Sequence, residues 1–446
     1  MRLFGTSGIR GVVGELLTPE FCRYVGLALG TTLAVGSKVC IATDTRVSRE
    51  QVRDDVTAGL LAAGVDVTHF GILPTPALAF LTREMNFDTG LMITASHNPP
   101  EYNGIKVFDR DTIGYSIAQE DAVEAVFHRK NFRKGQGTLR TDESAREIYF
   151  KRLLDEFSGV DFNRNLKIVV DPGNGAASGF ASKLFMELGL DVIPVNDEPD
   201  GNFPGRPSEP TGETLKSTVE FLRENGADIA VCFDGDADRV VFCDKEGFLG
   251  FNEMVAFISR LAVLKSGKKK VAATIEVGKL MDLALEDLGA DVVRGRVGDV
   301  YLAHLGRESD AAMGVEDVGV YIVPEMGCYP ESMVAPLTLL SSITSPVEIR
   351  EFFKGFPQFS SGKRKVRCPN ELKESAMEIV KQKADSLGPK QINPLDGVRL
   401  DFEDSWMLIR ASGTEPVIRV MTEATNPSRA EELADAGIRL VEEAVG

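Results

Sequence analysis

The sequence predicts a multidomain α/β protein, with three α/β domains of related design followed by a smaller α+β domain. Three observations lead there. At 446 residues the chain is too long for a single hydrophobic core. A strand–helix–strand pattern recurs once in each of its first three parts, and the last part abandons that pattern for short strands and one amphipathic helix.

The repeats run as follows. Val39–Ala42 leads through a helical segment, Ser48–Ala63, to a second β-branched run, Val65–Phe70. Leu166–Val170 leads through Gly179–Leu188 to Val192–Val195, and Val271–Ile275 through Lys279–Leu288 to Asp291–Val293. Gly64, Gly189 and Gly289 each follow the helical segment, where a C-cap must turn left-handed before the second strand. Near the end, Ile409–Arg410 and Val417–Glu423 read as strands and Ser428–Glu443 as an amphipathic helix. Charged and Gly-containing stretches place the domains at 1–143, 144–246, 247–361 and 362–446.

Composition narrows the function. Apolar residues at 43% and charged residues at 26% are ordinary for a soluble globular protein. A formal charge of −17 argues against nucleic acid or an anionic membrane as the main partner. Phosphates remain open as ligands wherever Arg, Lys and backbone N–H groups concentrate locally. The six cysteines, Cys22, Cys40, Cys232, Cys243, Cys328 and Cys368, form neither a C-x-x-C nor a Cys/His cluster, so they read as buried thiols in a reducing cytosol. The first ten residues carry charge and a Gly-rich turn rather than a leader pattern. The uncharged stretches 24–37 and 332–347 are respectively too short to span a bilayer and broken by Pro336. A cytoplasmic protein is expected, and a homo-oligomer is compatible with the sequence.

Four loops carry chemistry. Asp234-Gly-Asp236-Ala-Asp238-Arg239 lies between the apolar runs Ile229–Phe233 and Val240–Cys243. Three carboxylates at alternating positions of a tight loop repel one another unless a cation sits among them, and hard oxygen ligands suit Mg²⁺. An EF-hand is excluded, because Arg239 and Lys245 stand where that loop needs Gly and Glu. The competing reading is a solvated acidic hairpin. Thr94-Ala95-Ser96-His97-Asn98-Pro99-Pro100 follows the apolar strand Gly90–Ile93 and would hold Ser96 on a rigid, exposed loop, as a nucleophile or phosphate carrier requires. For this loop taken alone, a turn serine bonded to local backbone is the stronger reading. Arg410-Ala-Ser412-Gly413-Thr414-Glu415-Pro416, with Arg419 beyond, makes either a phosphate cradle or an ordinary hairpin. Phe4-Gly5-Thr6-Ser7-Gly8-Ile9-Arg10-Gly11 is a second Gly/Ser/Arg turn, anchored by two residues that want burial. No Walker A motif is present, which argues against nucleotide triphosphates, and Gly173-Asn-Gly175 reads as a tight strand–helix turn.

Together these loops resemble the α-D-phosphohexomutase superfamily of phosphoglucomutases, phosphomannomutases and phosphoglucosamine mutases. The resemblance covers the whole chain in order: FGTSGIRG, TASHNPPEYNGIKV, DGDADR, GVEDVG and RASGTEP. It implies three related α/β domains with mixed sheets and a smaller C-terminal α+β domain around one central cleft. It implies a phosphoserine at Ser96 and one Mg²⁺ held by Ser96, Asp234, Asp236 and Asp238. Arg10, His97, Lys106 and Arg239 would line the transfer site, with Lys106 or His97 as general base. Glu316 would grip sugar hydroxyls, while Arg410, Ser412, Gly413, Thr414 and Arg419 would hold the phosphate not being transferred. The implied reaction interconverts hexose 1- and 6-phosphates of glucosamine, glucose or mannose, with a hexose bisphosphate as intermediate and activator. The sugar loop departs from the family pattern in Val318 and Val320, and Pro330-Glu331-Ser332-Met333 stands where relatives often read R-D-G-A-M. The two valines read as an apolar wall that relaxes discrimination between sugars. A pentose-phosphate mutase, a metal phosphatase and a non-catalytic sugar-phosphate sensor are the competing functions.

Overall fold

A computed structural model describes residues 2–5, 7–413 and 415–446. The chain forms two compact units, Met1–Met254 with Val318–Glu348, and Val255–Asp317 with Ile349–Gly446.

The first unit contains two mixed sheets. One runs Ile9–Val12, Tyr102–Asp109, Thr89–Ile93, Lys38–Thr43, Asp66–Ile72, Leu139–Thr141 in spatial order. Its middle strands are parallel, and Tyr102–Asp109 is antiparallel to both neighbours. Val39, Ile41, Leu91, Ile93 and Ile105 are fully buried in its core. Helices Pro19–Thr32 and Arg49–Ala62 pack together at backbone distance. The contact needs glycine: a Cβ on Gly26 would sit 2.1 Å from the Val56 carbonyl oxygen, and one on Gly59 would sit 2.2 Å from that of Arg23. Thr18 starts the first of these helices by accepting from the Phe21 N–H, with Pro19 at the first helical position.

The other sheet runs Gly247–Leu249, Val240–Asp244, Ile229–Phe233, Lys167–Asp171, Asp191–Pro194. Here the parallel strands meet an antiparallel hairpin formed by Ile229–Phe233 and Val240–Asp244. Gly173 and Asn174 both adopt positive φ, +57° and +61°, making the tight turn after Asp171 that the sequence predicts.

The segment Val318–Glu348 is locked into this unit by buried polar contacts. The Val240 N–H donates to the Gly319 carbonyl at 2.9 Å, and Ser332 Oγ donates to the Ala237 carbonyl at 2.5 Å. Tyr149 Oη donates to both Glu331 carboxylate oxygens, at 2.8 and 2.9 Å.

The second unit opens with Val255 in the middle of helix Phe251–Ser266. Lys270–Thr274 pairs in parallel with Asp291–Gly295 and with Met313–Glu316. A second, wholly antiparallel sheet runs Ser360–Arg367, Val417–Ala424, Ser405–Ala411, Val398–Asp401, Gln391–Asn393. Helices Lys373–Lys383 and Pro427–Val445 pack on it, the latter capped by Asn426. The predicted fold class therefore stands, and each βαβ unit lies where the periodicity places it. Gly64, Gly189 and Gly289 all have positive φ at their helix ends. All six cysteines are buried free thiols, and no helix among the described residues is long and apolar enough to cross a membrane.

Burial pushes the Glu331 carboxyl up to about 7, against the pull of its Tyr149 hydrogen bond. The native state thus holds this proton more tightly than the unfolded chain does. The resulting stabilisation is fully present below the unfolded value near 4.5 and is lost as pH rises through about 7, roughly 3 kcal/mol in all. Denaturant melts at pH 6 and pH 8 check this. Glu331→Gln, which cannot ionise, should gain about 1–2 kcal/mol on the wild type across that interval. An unchanged difference would mean Glu331 is ionised throughout.

Candidate active site

The site in the first unit is built on two strand ends. Thr89–Ile93 is buried along its whole length and delivers Thr94, Ala95 and Ser96 at its C-terminal edge. Ser96 adopts φ +52°, a left-handed conformation that costs a non-glycine residue on the order of 1 kcal/mol. Three contacts hold it there. Its N–H donates to Thr94 Oγ1 at 2.8 Å, its carbonyl accepts from Arg46 Nη2 at 2.9 Å, and its Oγ donates to Asp234 Oδ2 at 2.7 Å. His97 Nδ1 lies 3.3 Å from the same Oγ. Ser96 is fully buried, which corrects the expectation of an exposed loop. The cover comes from far along the chain: Gly235 packs so closely that a Cβ there would lie 2.5 Å from the Ser96 carbonyl oxygen.

The aspartate loop turns between strands Ile229–Phe233 and Val240–Asp244, with Ala237 at φ +55°. Asp234, Asp236 and Asp238 offer carboxylate oxygens within 4.8 Å of one another, and all three are buried. A solvated hairpin is therefore excluded. Lys106, reaching in from Tyr102–Asp109, places Nζ 2.6 Å from Asp236 Oδ2 and 2.5 Å from Asp238 Oδ2. Thr75 Oγ1 donates to Asp236 Oδ2 at 2.6 Å. The other oxygens, Asp236 Oδ1 and Asp238 Oδ1, are buried without a hydrogen-bond partner among the described residues. Such acceptors are costly unless a cation meets them. An all-oxygen trio with two unused lone-pair sites fits a Mg²⁺ ion.

The electrostatics follow from this crowding. Burial, then the charges of Asp238 and Asp236, push Asp234 well above the usual carboxylate range. Burial would raise Asp238 too, but Lys106 and Arg239 override it and hold that group low. The Lys106 ammonium, despite burial, is held above its ordinary value by Asp236 and Asp238. Burial, then Arg239, Arg10 and Lys106, drop His97 to about 3, which leaves a neutral imidazole. Of the two general-base candidates, only His97 keeps a lone pair available. Arg10 Nη1 donates to Asn98 Oδ1 at 3.3 Å, and Arg239 Nε lies 3.9 Å from Asp238 Oδ1. The first unit thus gathers Arg10, Ser96, His97, Lys106, the three aspartates and Arg239 in one place.

The second unit gathers the rest. Arg410 and Arg419 face each other across the hairpin of Ser405–Ala411 and Val417–Ala424. Arg410 Nε contacts Asp396 at 2.9 Å and its Nη1 lies 3.5 Å from Glu276, while Arg419 Nη2 contacts Glu415 at 2.8 Å. The turn is braced by Lys373 Nζ, which donates to the carbonyls of Ser412 and Glu415 at 2.5 and 2.6 Å. Ser412 Oγ accepts from the Glu415 N–H at 3.1 Å. Above Gly413 a Cβ would meet nothing within 4 Å. Thr414 lies outside the described residues. Glu316 accepts from the Gly298 N–H at 3.0 Å.

In the first unit, Val320 is only 3% exposed in strand Val320–Ile322. Val318 is half-buried, so of the two valines it is the more accessible.

Sequence reading missed Asp44, Arg46, Thr75 and Glu276. Asp44-Thr45-Arg46 directly follows strand Lys38–Thr43, and a strand's carboxyl end in an α/β sheet is where ligand loops gather. That was the available signal. Thr75 and Glu276 follow strands Asp66–Ile72 and Lys270–Thr274 in the same way.

Comparison with known proteins agrees with this layout. The three α/β/α domain models of phosphoglucomutase/phosphomannomutase match residues 1–134, 147–247 and 252–356, and the C-terminal domain model matches 364–439. A "Probable phosphoglucosamine mutase" from Methanopyrus kandleri is 39% identical, over 100% of this chain and 98% of that protein. The chain belongs to the phosphoglucomutase/phosphomannomutase family. It is a phosphohexomutase, an enzyme of the isomerase class. A Methanocaldococcus jannaschii relative named phosphoglucosamine mutase is 36% identical, over 100% of this chain and 99% of its own. Among solved structures, a phosphoglucomutase/phosphomannomutase family protein from Burkholderia thailandensis superposes with a TM-score of 0.87 at 25% identity, covering 99% of this chain and 97% of that one.

The metal reading of this phosphohexomutase's acidic trio is checked by calorimetry. Asp236→Asn should weaken Mg²⁺ binding by about tenfold or more, since it removes one charge from a hard-cation site. Equal binding by the variant would leave Lys106 as the trio's resident cation.

Proposed function

We propose that this enzyme interconverts the 1- and 6-phosphates of a hexose, with glucosamine, glucose and mannose phosphates as substrates, through a phosphoserine at Ser96. The observation that carries the proposal is the Ser96 hydroxyl 2.7 Å from Asp234, buried among three carboxylates and ringed by Arg10, Lys106 and Arg239. A lone hydroxyl in that setting suits a covalent phosphoryl carrier. Phosphoryl transfer asks mainly for positioning and for charge to offset three phosphate oxygens.

Mg²⁺ held by Asp234, Asp236, Asp238 and an oxygen of phospho-Ser96 would supply Lewis-acid charge at the phosphoryl group. Arg10, Lys106 and Arg239 add fixed positive charge around it. His97 and Lys106 are the general-base candidates: His97 lies 3.3 Å from Ser96 Oγ and is unprotonated, but a group held near 3 is a weak base, while Lys106 keeps its proton. In the first half-reaction phospho-Ser96 donates to the free hydroxyl of the monophosphate, giving a bisphosphate. That molecule turns end for end, and its other phosphate returns to Ser96. Glu316 would orient the sugar hydroxyls, and Arg410, Ser412, Gly413, Thr414 and Arg419 would hold the phosphate that is not moving. Burial of Ser96 supports the cycle, since a phosphoserine open to water hydrolyses. The names of the two relatives favour glucosamine phosphate within the hexose group. Six buried free thiols suit a reducing cytoplasm.

Intact-mass measurement after incubation with glucose 1,6-bisphosphate should show one added phosphoryl group, absent in Ser96→Ala. That variant should keep its fold and fall below about 1% of wild-type turnover. Substantial residual activity would remove the phosphoserine from the mechanism, and phosphate release without isomerisation would make the protein a phosphatase. Measuring kcat/KM on the three hexose 1-phosphates and on ribose 1-phosphate settles the sugar. The hexoses should fall within about a hundredfold of one another. Turnover of ribose 1-phosphate alone would make it a pentose mutase, and tight binding with no turnover a sensor.

A further inference from the structure

We propose that Arg46 is a positioning residue for phosphoryl transfer, the template around which the Ser96 loop is wound. Its side chain is fully buried and lies outside every loop that carries the chemistry above. A guanidinium has five N–H donors in a fixed planar fork, and this one directs both of its terminal nitrogens at a single segment. Nη2 donates to the carbonyls of Ser96 and Asn98 at 2.9 and 2.7 Å, and Nη1 to those of Pro99 and Tyr102 at 2.6 and 2.8 Å. Nε donates to Asp44 Oδ2 at 3.0 Å. Four carbonyls of one loop thus converge on one cation.

The anchor for that cation is itself built. Asp44 Oδ1 accepts from the Arg46 N–H at 2.9 Å, and its Oδ2 also accepts from Thr94 Oγ1 at 2.6 Å. The same Thr94 oxygen accepts the Ser96 N–H at 2.8 Å. The Phe203 ring covers the flat face of the guanidinium, 5.3 Å from centroid to Cζ, and Ser208 Oγ adds a donor to the Asn98 carbonyl at 3.0 Å. Ser96 is therefore gripped at N–H and carbonyl by one network, and only its hydroxyl is left to point at Asp234. This matters because Ser96 sits at φ +52°, a conformation that relaxes unless its surroundings fix it. Relaxation swings Oγ away from the acidic trio. Lysine cannot replace the fork: three donors on one nitrogen cannot serve four carbonyls and Asp44 together.

The inference rests on the phosphoserine reading, and the experiment separates the two. The probe is glucose 1,6-bisphosphate. As it loads the enzyme, a bond forms between Ser96 Oγ and phosphorus while a sugar O–P bond breaks. The hydroxyl proton leaves Oγ, and the released sugar oxygen takes up a proton. In Arg46→Lys the rate of this loading, followed by intact mass, should fall about a hundredfold, and kcat with it. KM for the hexose monophosphate should stay within about threefold, because the phosphate and sugar determinants lie on other loops. Val56→Ala, a core truncation in the same domain, controls for lost stability and should load at the wild-type rate below its melting temperature. Thr94→Val should slow loading as well, and Thr94→Ser, which restores the hydroxyl, should recover it. Should Arg46→Lys fail to fold, the Thr94 pair decides. Wild-type loading by Arg46→Lys, a loss no larger than that of Val56→Ala, or a KM rising in step with the fall in kcat overturns the positioning role alone. A wild-type enzyme that accepts no phosphoryl group overturns the phosphoserine reading, and this inference with it.

Discussion

Three carboxylates within 4.8 Å of one another, all buried, set the terms for everything around them. At about 4 Å, two like charges repel by roughly 4 kcal/mol under the screening typical of proteins, and burial removes the water that would soften this. The first unit answers from several directions. Lys106 lies against two of the acids, Arg239 and Arg10 raise the local positive potential, and the hydroxyls of Ser96 and Thr75 each donate to one carboxylate. Two carboxylate oxygens still lack a hydrogen-bond partner among the described residues. A site left short of positive charge in this way is poised to receive it. On the proposed reaction, the same shortage favours a cation accompanied by a phosphoryl group over a phosphoryl group alone.

That constraint explains why the site is shared by two sheets of one unit. A single hairpin could present Asp234, Asp236 and Asp238, but its own short loop has little room for a compensating ammonium as well. Lys106 comes instead from the middle of a strand in the other sheet, where neighbouring strands fix its backbone. Ser332 pins the Ala237 carbonyl between two of the acids, and Thr75 accepts no freedom either, since its N–H also donates to the Asp236 carbonyl at 2.8 Å. Rigidity here has an electrostatic purpose: without it the repelling carboxylates would spread apart and the trio would lose the close spacing that could hold a cation.

What could be read from the sequence was local, and what could not was long-range. Alternating aspartates between two apolar runs identify a hairpin of carboxylates, and three glycines after helical segments identify three βαβ turns, because each signal lies within a few residues of its consequence. The burial of Ser96 depends on Gly235, which is distant in sequence, so the loop read as exposed. Its positive φ is invisible for the same reason, since serine has no intrinsic preference for that region and is forced there by Arg46 and Thr94. Val318 and Val320 look alike in sequence, and only the structure separates the half-buried one from the buried one.

The second unit holds Arg410 and Arg419, the proposed phosphate-binding arginines, differently from a permanent anion site. Arg410 is already contacted by Asp396 and lies near Glu276, and Arg419 is already contacted by Glu415. Such partners preorganise the two guanidinium groups, so little side-chain entropy remains to be lost when an anion arrives. They also compete with that anion, which lowers its net affinity. For an enzyme that binds one phosphate for good, this would be a defect. In the proposed cycle the phosphate held here must be released halfway, when the bisphosphate turns end for end, and then replaced by the other. A grip that is preformed but contested binds quickly and lets go, and uniform tightness would only trap the intermediate without lowering the chemical barrier. The carboxylates beside Arg410 and Arg419 are thus better understood as part of the exchange than as rivals to it.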